Sequence, residues 1–387
     1  MRRLAVVVLA CAAAALPGVA QAAPATRSCS APRAVAQRLQ AILFQTLRET
    51  TATAGMLMHV EAPRLGLSWS GAAGLDDRRR RTRLAPGATL RLASNSKLYV
   101  AAATMRLVEQ GKVALGAPIS RYLPADLVAS LPGGDRITVE MLLRHTSGLY
   151  DYATDPDYVD AVLANPRRRW TRQEQIDWAL SHGQPYGAPG ASYNYSDTGY
   201  LLLAWILERR TGARTWGDAL TRLLGTRALG RAYLEDGRRP PRGTAGRAHQ
   251  YLGDLDRFSA DPSFDLHGGG GLVASMRDLA RFWDALFSGA VFARPATLRT
   301  LTSLTPQSGT LAAAMGLYRD RLAGFVEYDH GGYFGTRATH FVAPDVTITT
   351  STQQAAEEGN PVRQAYPKVL AALRGLRASS PSTTLCR

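Results

Sequence analysis

Apolar residues recur at Val35, Leu39, Ile42, Leu43 and Leu47 between Pro32 and Arg48, a spacing that predicts a helix with one buried face. Residues 55–60 (GMLMHV) and 65–70 (LGLSWS) predict two strands joined by a Pro-containing turn. The Asp76–Arg83 stretch is too charged for a core and predicts a surface loop. Ser94 to Gln110 returns to helical periodicity, with Gly111 as its stop. From about 115 to 290 the pattern is helical segments and long loops. One helix starts with Ser196 or Asp197 as its cap and runs through residues 200–207 to Gly212. Another spans Ser275 to Phe287, just after the four glycines Gly268–Gly271. From Ala314 strands return, at Met315–Arg319, Phe325–Tyr328, Thr339–Val342 and Val346–Thr350, and Val362 to Leu376 predicts a closing helix.

Strands thus lie at both ends of the chain with helices between them. The expected fold class is α+β: an antiparallel sheet built from both chain ends, flanked by terminal helices, around a large, mostly helical region. The sheet region falls at about 30–93 and 310–376 and the helical region at about 94–309, as one domain over residues 23–387. No internal repeat is present.

Composition narrows the class. With 387 residues, 45% hydrophobic and 20% charged, the chain can bury a sizeable core, which excludes disordered, collagenous and disulfide-knot scaffolds. The long apolar run is N-terminal, so a multi-pass membrane protein is excluded too. That run reads as a signal peptide over residues 1–22: Arg2 and Arg3, then apolar Leu4 to Leu16, a break at Pro17-Gly18, and the small-x-small site Ala20-Gln21-Ala22. A lipid anchor on Cys11 is the rival reading, weakened by the bulky Leu9 and the short apolar stretch before it. Cleavage after Ala22 gives a periplasmic or secreted protein whose remaining cysteines are Cys29 and Cys386. In an oxidising compartment these predict one disulfide stapling the chain ends, against the alternative of two free thiols. A sheet made from both ends brings those ends together.

The formal net charge is +15, and Lys97, Lys112 and Lys368 are the only lysines among its cations. The arginine runs Arg78–Arg81, Arg167–Arg169 and Arg238-Arg239 with Arg242 are not interleaved with aromatics, and no nucleic-acid motif accompanies them. They read as solvated loops, with attraction to an anionic envelope surface as the sharper alternative.

Chemistry enters at Ser94-Asn95-Ser96-Lys97, an S-x-x-K at the start of a helix. Residues three apart share a helix face, so the Lys97 amine can reach the Ser94 hydroxyl and take its proton. The helix N-terminus adds N–H groups suited to a developing oxyanion. Taken alone the pattern is weak, and Ser94 as a plain helix cap is the simpler reading. The wider context outweighs it. Arg91 to Lys97 is followed by Met105 to Leu115 (MRLVEQGKVAL), Ile119 to Pro124 (ISRYLP) and Leu142 to Leu149 (LLRHTSGL). Then come Pro189 to Tyr200 (PGASYNYSDTGY), Gly268 to Ser275, and His330-Gly331-Gly332.

In order and spacing this closely resembles the serine β-lactamase / penicillin-binding protein superfamily. Within it, the resemblance is to the branch of class C β-lactamases, D-alanyl-D-alanine carboxypeptidases, related esterases and D-aminopeptidases, and it covers about Val35 to Leu376. The resemblance implies an acyl-enzyme hydrolase with Ser94 as nucleophile, Lys97 assisting its deprotonation, and Tyr195 as the second acid/base. His330 and Gly332 would line the opposite wall, with His330 recognising a substrate carboxylate or polarising Tyr195. The backbone N–H groups of Ser94 and Tyr333 would form the oxyanion hole. His145, in a segment that forms a buried turn in this family, stays outside the catalytic set. No metal-ligand spacing occurs among the histidines and no phosphate-binding motif at Gly268–Gly271, so no cofactor or metal is expected. The glycines suit close backbone packing near the site.

One position departs from the family. Its Tyr-x-Asn motif reads Tyr195-Ser196-Asp197 here. Asn both donates and accepts, whereas an ionised Asp only accepts and favours the ammonium form of Lys97. Tyr195 would then carry more of the proton transfer, unless Asp197 merely caps its helix. Candidate substrates are D-Ala-D-Ala-type peptides, β-lactams, D-amino-acid amides or small esters. His330 in place of the family's usual Lys points towards carboxypeptidase, aminopeptidase or esterase chemistry. A catalytically silent envelope protein that binds peptidoglycan peptides or a partner is the alternative, with Asp197 in its favour. Specificity is expected in the loops at about 150–190 and 230–265, including the aromatic stretch Tyr150–Tyr158.

Overall fold

A computed structural model describes residues 30–50, 53–355 and 361–376. The predicted signal peptide, Cys11, Cys29 and Cys386 lie outside these residues. Near the N-terminus α1 (Ser30–Glu49) precedes the hairpin β1 (Gly55–Ala62) and β2 (Leu67–Gly74) and the short β3 (Thr89–Arg91). The middle of the chain is largely helical: α2 (Ser96–Glu109), α3 (Ala125–Ser130), α4 (Val139–Leu143), α5 (Pro156–Ala164), α6 (Arg172–His182), α7 (Asp197–Thr211) and α8 (Trp216–Leu229). It continues through β4 (Tyr233–Leu234), β5 (Tyr251–Leu252), β6 (Leu255–Asp256), β7 (Leu272–Ser275), α9 (Met276–Phe287) and α10 (Pro295–Leu301). The chain then returns through β8 (Tyr318–Leu322), β9 (Phe325–Gly332), β10 (Thr336–Phe341) and β11 (Val346–Ser351) to α11 (Tyr366–Leu373).

The main sheet has the order β2-β1-β11-β10-β9-β8, and every pairing in it is antiparallel. Its first two strands come from one end of the chain and the other four from the other end, with β1 joined directly to β11. Side-chain alternation along β1 decides what covers each face. Met56, Met58 and Val60 pack in one core with Leu39 and Leu43 of α1 and with Val369 and Leu373 of α11. Leu57 belongs to the second core, which holds α2, α7, α8 and α9. The sheet is therefore sandwiched between the terminal helices and the helical region. Among the described residues no helix is long and apolar enough to cross a membrane.

One local reading needs correction, and two features were not foreseen. The Met315–Arg319 strand is instead a tight turn, closed by a hydrogen bond from Ala314 N–H to the Leu317 carbonyl, and β8 begins only at Tyr318. Met315 and Leu317 are apolar because they are buried in the helical core, and Gly316, at φ +77°, lies against the backbone of α2. Asp76–Arg83 is a loop, yet Asp77 is buried and accepts from the N–H groups of Arg79 and Arg80, while Asp76 accepts from the N–H of His249. A second small sheet, β3-β7-β4, was not foreseen. It carries the chain directly into the turn that precedes α2.

Leu39 is fully buried in the α1 face that closes the sheet. Leu39→Ala is expected to lower unfolding stability by about 2–5 kcal/mol, read from denaturant titration.

Candidate active site

β3 ends at Arg91, and a single 3₁₀ turn, Ala93–Asn95, leads into α2. Ala93 is held at φ +46°, a left-handed conformation costly for a residue with a Cβ. Within residues 91–100 Ser94 alone is not buried. The strained turn thus lifts one hydroxyl out of an otherwise buried stretch. The Ser94 side chain makes no cap for α2, so its hydroxyl is not spent on the helix.

Lys97, one turn on, is fully buried. Its Nζ lies 2.7 Å from Asp197 Oδ1, 2.8 Å from the Gly269 carbonyl oxygen and 3.1 Å from Ser94 Oγ. The carboxylate and the carbonyl can only accept, so they claim two N–H bonds. The third direction points at Ser94. As an ammonium Lys97 donates to Ser94; as a neutral amine it presents its lone pair to the Ser94 proton.

Asp197 reaches this position because Ser196 takes over the capping of α7, its side chain accepting from the Gly199 N–H. That frees the Asp197 carboxylate to turn inward. Gly269 must be glycine for the same reason: a Cβ there would stand 1.7 Å from Asp197 Oδ1. Close backbone packing is therefore the use of the Gly268–Gly271 run.

The Tyr195 phenol interacts with Ser94, and Lys97 Nζ sits 4.8 Å from the Tyr195 ring centre. Burial first, then the Asp197 carboxylate, push this phenol well above the ordinary tyrosine range, with Ser94 pulling the other way. Tyr195 is accordingly neutral and a proton donor. His145 fixes the Tyr195 segment: its Nδ1 accepts from the Ser196 N–H at 3.0 Å, its carbonyl accepts from the Asn194 N–H, and its ring stacks on Tyr195 at 4.4 Å. Burial, then Lys97, hold His145 far below the usual imidazole range.

The opposite wall is the end of β9. His330 is buried, and its Nδ1 lies 2.6 Å from the Gly331 carbonyl, which places the ring proton on Nδ1 and leaves Nε2 an acceptor. Burial and Lys97 lower its pKa to about 4, so it is uncharged near neutrality. Its ring faces Tyr195 at 6.4 Å and Tyr318 at 5.4 Å. Gly332 is a spacer: a Cβ there would meet the Leu92 carbonyl at 2.2 Å, so only glycine lets β9 close against the turn that carries Ser94. Tyr333 follows and lines the cleft beside Ser94.

Four further residues shape the site without any sequence signal of their own. Asn95, an unspecified position of S-x-x-K, bridges the two walls. Oriented to suit its neighbours, its amide nitrogen donates to the His330 carbonyl at 3.1 Å and its oxygen accepts from the Gly332 N–H at 3.3 Å. Asp151 accepts from the Asp197 N–H at 2.9 Å and so sets the start of α7. Asp265 packs against Gly270, where a Cβ would stand 1.7 Å from its Oδ2. Arg257 lines the same cleft. Burial, then the Asp197 carboxylate, raise Asp151 to about 7 and Asp265 to about 8. Lys97 pulls both the other way, as does Arg91 at Asp265, without overcoming burial.

The cleft beside Ser94 is bounded by Ala153, Thr154, Tyr158, Val159, Val162 and Leu163 on one side and by Leu252, Phe264 and Phe334 on the other. Both stretches expected to carry specificity, including part of Tyr150–Tyr158, contribute to it.

Comparison with known proteins agrees with this architecture. The family model described as Beta-lactamase matches residues 43–373. Esterase EstB of Burkholderia gladioli is 32% identical over 193 residues, 46% of this chain and 46% of its own length. Penicillin-binding protein 4* of Bacillus subtilis is 29% identical over 173 residues, 44% of this chain and 35% of its own. The matches thus span less than half of these relatives. The D-amino acid amidase structure from Ochrobactrum anthropi superposes with a TM-score of 0.74 over 88% of this chain and 99% of that one, at 22% identity. It bears on the β-lactamase/transpeptidase-like fold alone.

Asp265, whose folded-state pKa is raised, favours the native state at low pH, and that contribution is lost as pH climbs from its ordinary 3.8 through about 8. Asp265→Asn removes the titration. The melting temperature of the variant relative to the parent is expected to rise steadily across that window, and a flat difference would contradict the assignment.

Proposed function

The chain belongs to the Beta-lactamase family, and from that premise we propose that it is a serine hydrolase of amides or esters, forming an acyl-enzyme on Ser94 and acting in the periplasm or outside the cell. The observation that carries the reading is the Lys97 amine, held 3.1 Å from Ser94 Oγ with its other bonds committed to Asp197 and Gly269.

In this reading the neutral Lys97 amine takes the Ser94 proton as Oγ attacks the substrate carbonyl carbon. The tetrahedral oxyanion is received by the N–H groups of Ser94 and Tyr333. When the bond to the leaving group breaks, the Tyr195 phenol protonates that group and is itself reprotonated by the Lys97 ammonium. Water then attacks the acyl carbon and gives its proton back along the same route, freeing Ser94. His330, neutral with Nε2 as acceptor, suits a hydrogen bond from a phenol or a substrate N–H better than the binding of a carboxylate. Tyr195 suits the role of bridge because its phenol interacts with Ser94 while its ring faces His330.

Relatives named as an esterase and a putative D-alanyl-D-alanine carboxypeptidase support amides and esters as the substrate range. The apolar cleft suits small acyl groups carrying an aliphatic or aromatic side chain. The signal-peptide reading of residues 1–22 and the Cys29–Cys386 bridge belong to the same proposal.

Fluorescent penicillin or a fluorophosphonate probe should label the protein covalently. Ser94→Ala should abolish labelling and reduce p-nitrophenyl ester turnover by about 10³-fold or more. A parent protein that no acylating probe labels is the silent envelope protein instead. Asp197→Asn should move the acid limb of the kcat/KM profile to lower pH, because an amide no longer favours the ammonium of Lys97. An unmoved limb would show that Asp197 is not coupled to the reaction.

A further inference from the structure

Arg257 is only 6% exposed, yet its guanidinium lines the cleft beside Ser94. Its side chain makes a single long hydrogen bond, to the Val162 carbonyl at 3.4 Å. Among the described residues no carboxylate lies within ion-pairing distance of it. The nearest acid to serve this arginine cluster, Glu235, is already shared by Arg91 at 2.6 Å and Arg247 at 3.1 Å. Arg91 also donates to the backbone carbonyls of Arg257 and Ala260, which fixes the loop that carries Arg257. A buried guanidinium is costly without a partner. Here burial first, then the like charge of Arg91, disfavour the cation, with Tyr333 pulling the other way. The loop nevertheless presents it to the cleft.

The other charges on the lining do not answer it. Asp197 is taken by Lys97. Asp265 is drawn toward its protonated form near neutrality by burial and by Asp197. Neither forms an ion pair with Arg257. Val162, Leu163, Leu252, Phe264 and Phe334 give the cleft an apolar part, beside the Tyr333 phenol, and the cleft as a whole has room of about 160 Å³.

We propose that Arg257 is a specificity-determining residue that recognises a carboxylate at the end of a short apolar stem on the acyl part of the substrate. This rests on the hydrolase reading above and names its substrate class. The acyl side is assigned because the cleft, which Ser94, Tyr195, Tyr333 and Phe334 all line, leaves out His330, Tyr193 and Tyr318. Those three form the polar wall toward which Tyr195 hands its proton to the leaving group. A planar guanidinium with several N–H bonds to give matches a carboxylate in two-point contact.

The test compares p-nitrophenyl hemiglutarate with p-nitrophenyl pentanoate, which share a leaving group and chain length and differ in a terminal carboxylate against a methyl. The hemiglutarate-to-pentanoate ratio of kcat/KM is expected to fall about 10- to 100-fold in Arg257→Met at neutral pH. Arg257→Lys should recover part of it. Because the substitution removes an unpaired buried charge, the melting temperature should hold or rise. A ratio that stays the same, or a fall in melting temperature with both esters losing in proportion, would overturn the proposal in favour of a structural arginine. A binding arm is independent of turnover. In Ser94→Ala, glutarate should raise the melting temperature where pentanoate does not, and the rise should vanish when Arg257→Met is added. Should the parent hydrolyse neither ester, the hydrolase reading falls while this arm still decides Arg257: no glutarate-specific rise refutes it.

Discussion

The site depends on satisfying one buried ammonium. Lys97 has no access to water, and burying a lone cation costs several kcal/mol unless neighbours replace its hydration. Three segments do so: the turn before α2, the first residue of α7 and the glycine run before β7. Asp197 lies 100 residues and Gly269 172 residues further along the chain than Lys97. The same contacts that neutralise the cation aim its remaining bond at Ser94. The bonds that stabilise Lys97 and the one that points it at Ser94 are therefore a single set.

The departure from Asn to Asp at position 197 extends this electrostatic problem outward. A carboxylate beside Lys97 neutralises it, but it also faces Asp151 and Asp265 in the same low-dielectric pocket, and burial and the Asp197 charge raise both. Gly269 and Gly270 let the backbone pass between the carboxylates with no room for a side chain. The glycine run and the aspartates therefore form a single packing solution.

Much of this was legible in the chain, for different reasons at different positions. Ser94 and Lys97 are tied by helix periodicity, and Tyr195, Asp197 and His330-Gly331-Gly332 by ordered motifs, so their convergence was an expectation before any coordinates. The sheet from both ends followed from period-two alternation in long strands. Asn95, Asp151, Asp265 and Arg257 left no trace, because each acts through a neighbour far away in sequence. β3, β4 and β7 are two to four residues long, too short to show a period. Met315 and Leu317 misled for the converse reason: their alternation reflects burial beneath α2 and not strand pairing. In Asp76–Arg83, counting charges missed that carboxylates buried against backbone N–H groups are satisfied.

The interleaving of the two chain ends sets a condition on how the molecule assembles. Leu57 pairs with Ser351, and β1 has no partner other than its own hairpin mate until β11 arrives. A nascent chain can build α2 and much of the helical core early, but it carries an open sheet edge until nearly the last strand is made. Contacts spanning so many residues are slow to form, because the closure entropy must be met before they give any return. Until β11 pairs with it, the unpaired edge of β1 is the surface most exposed to pairing with the wrong neighbour.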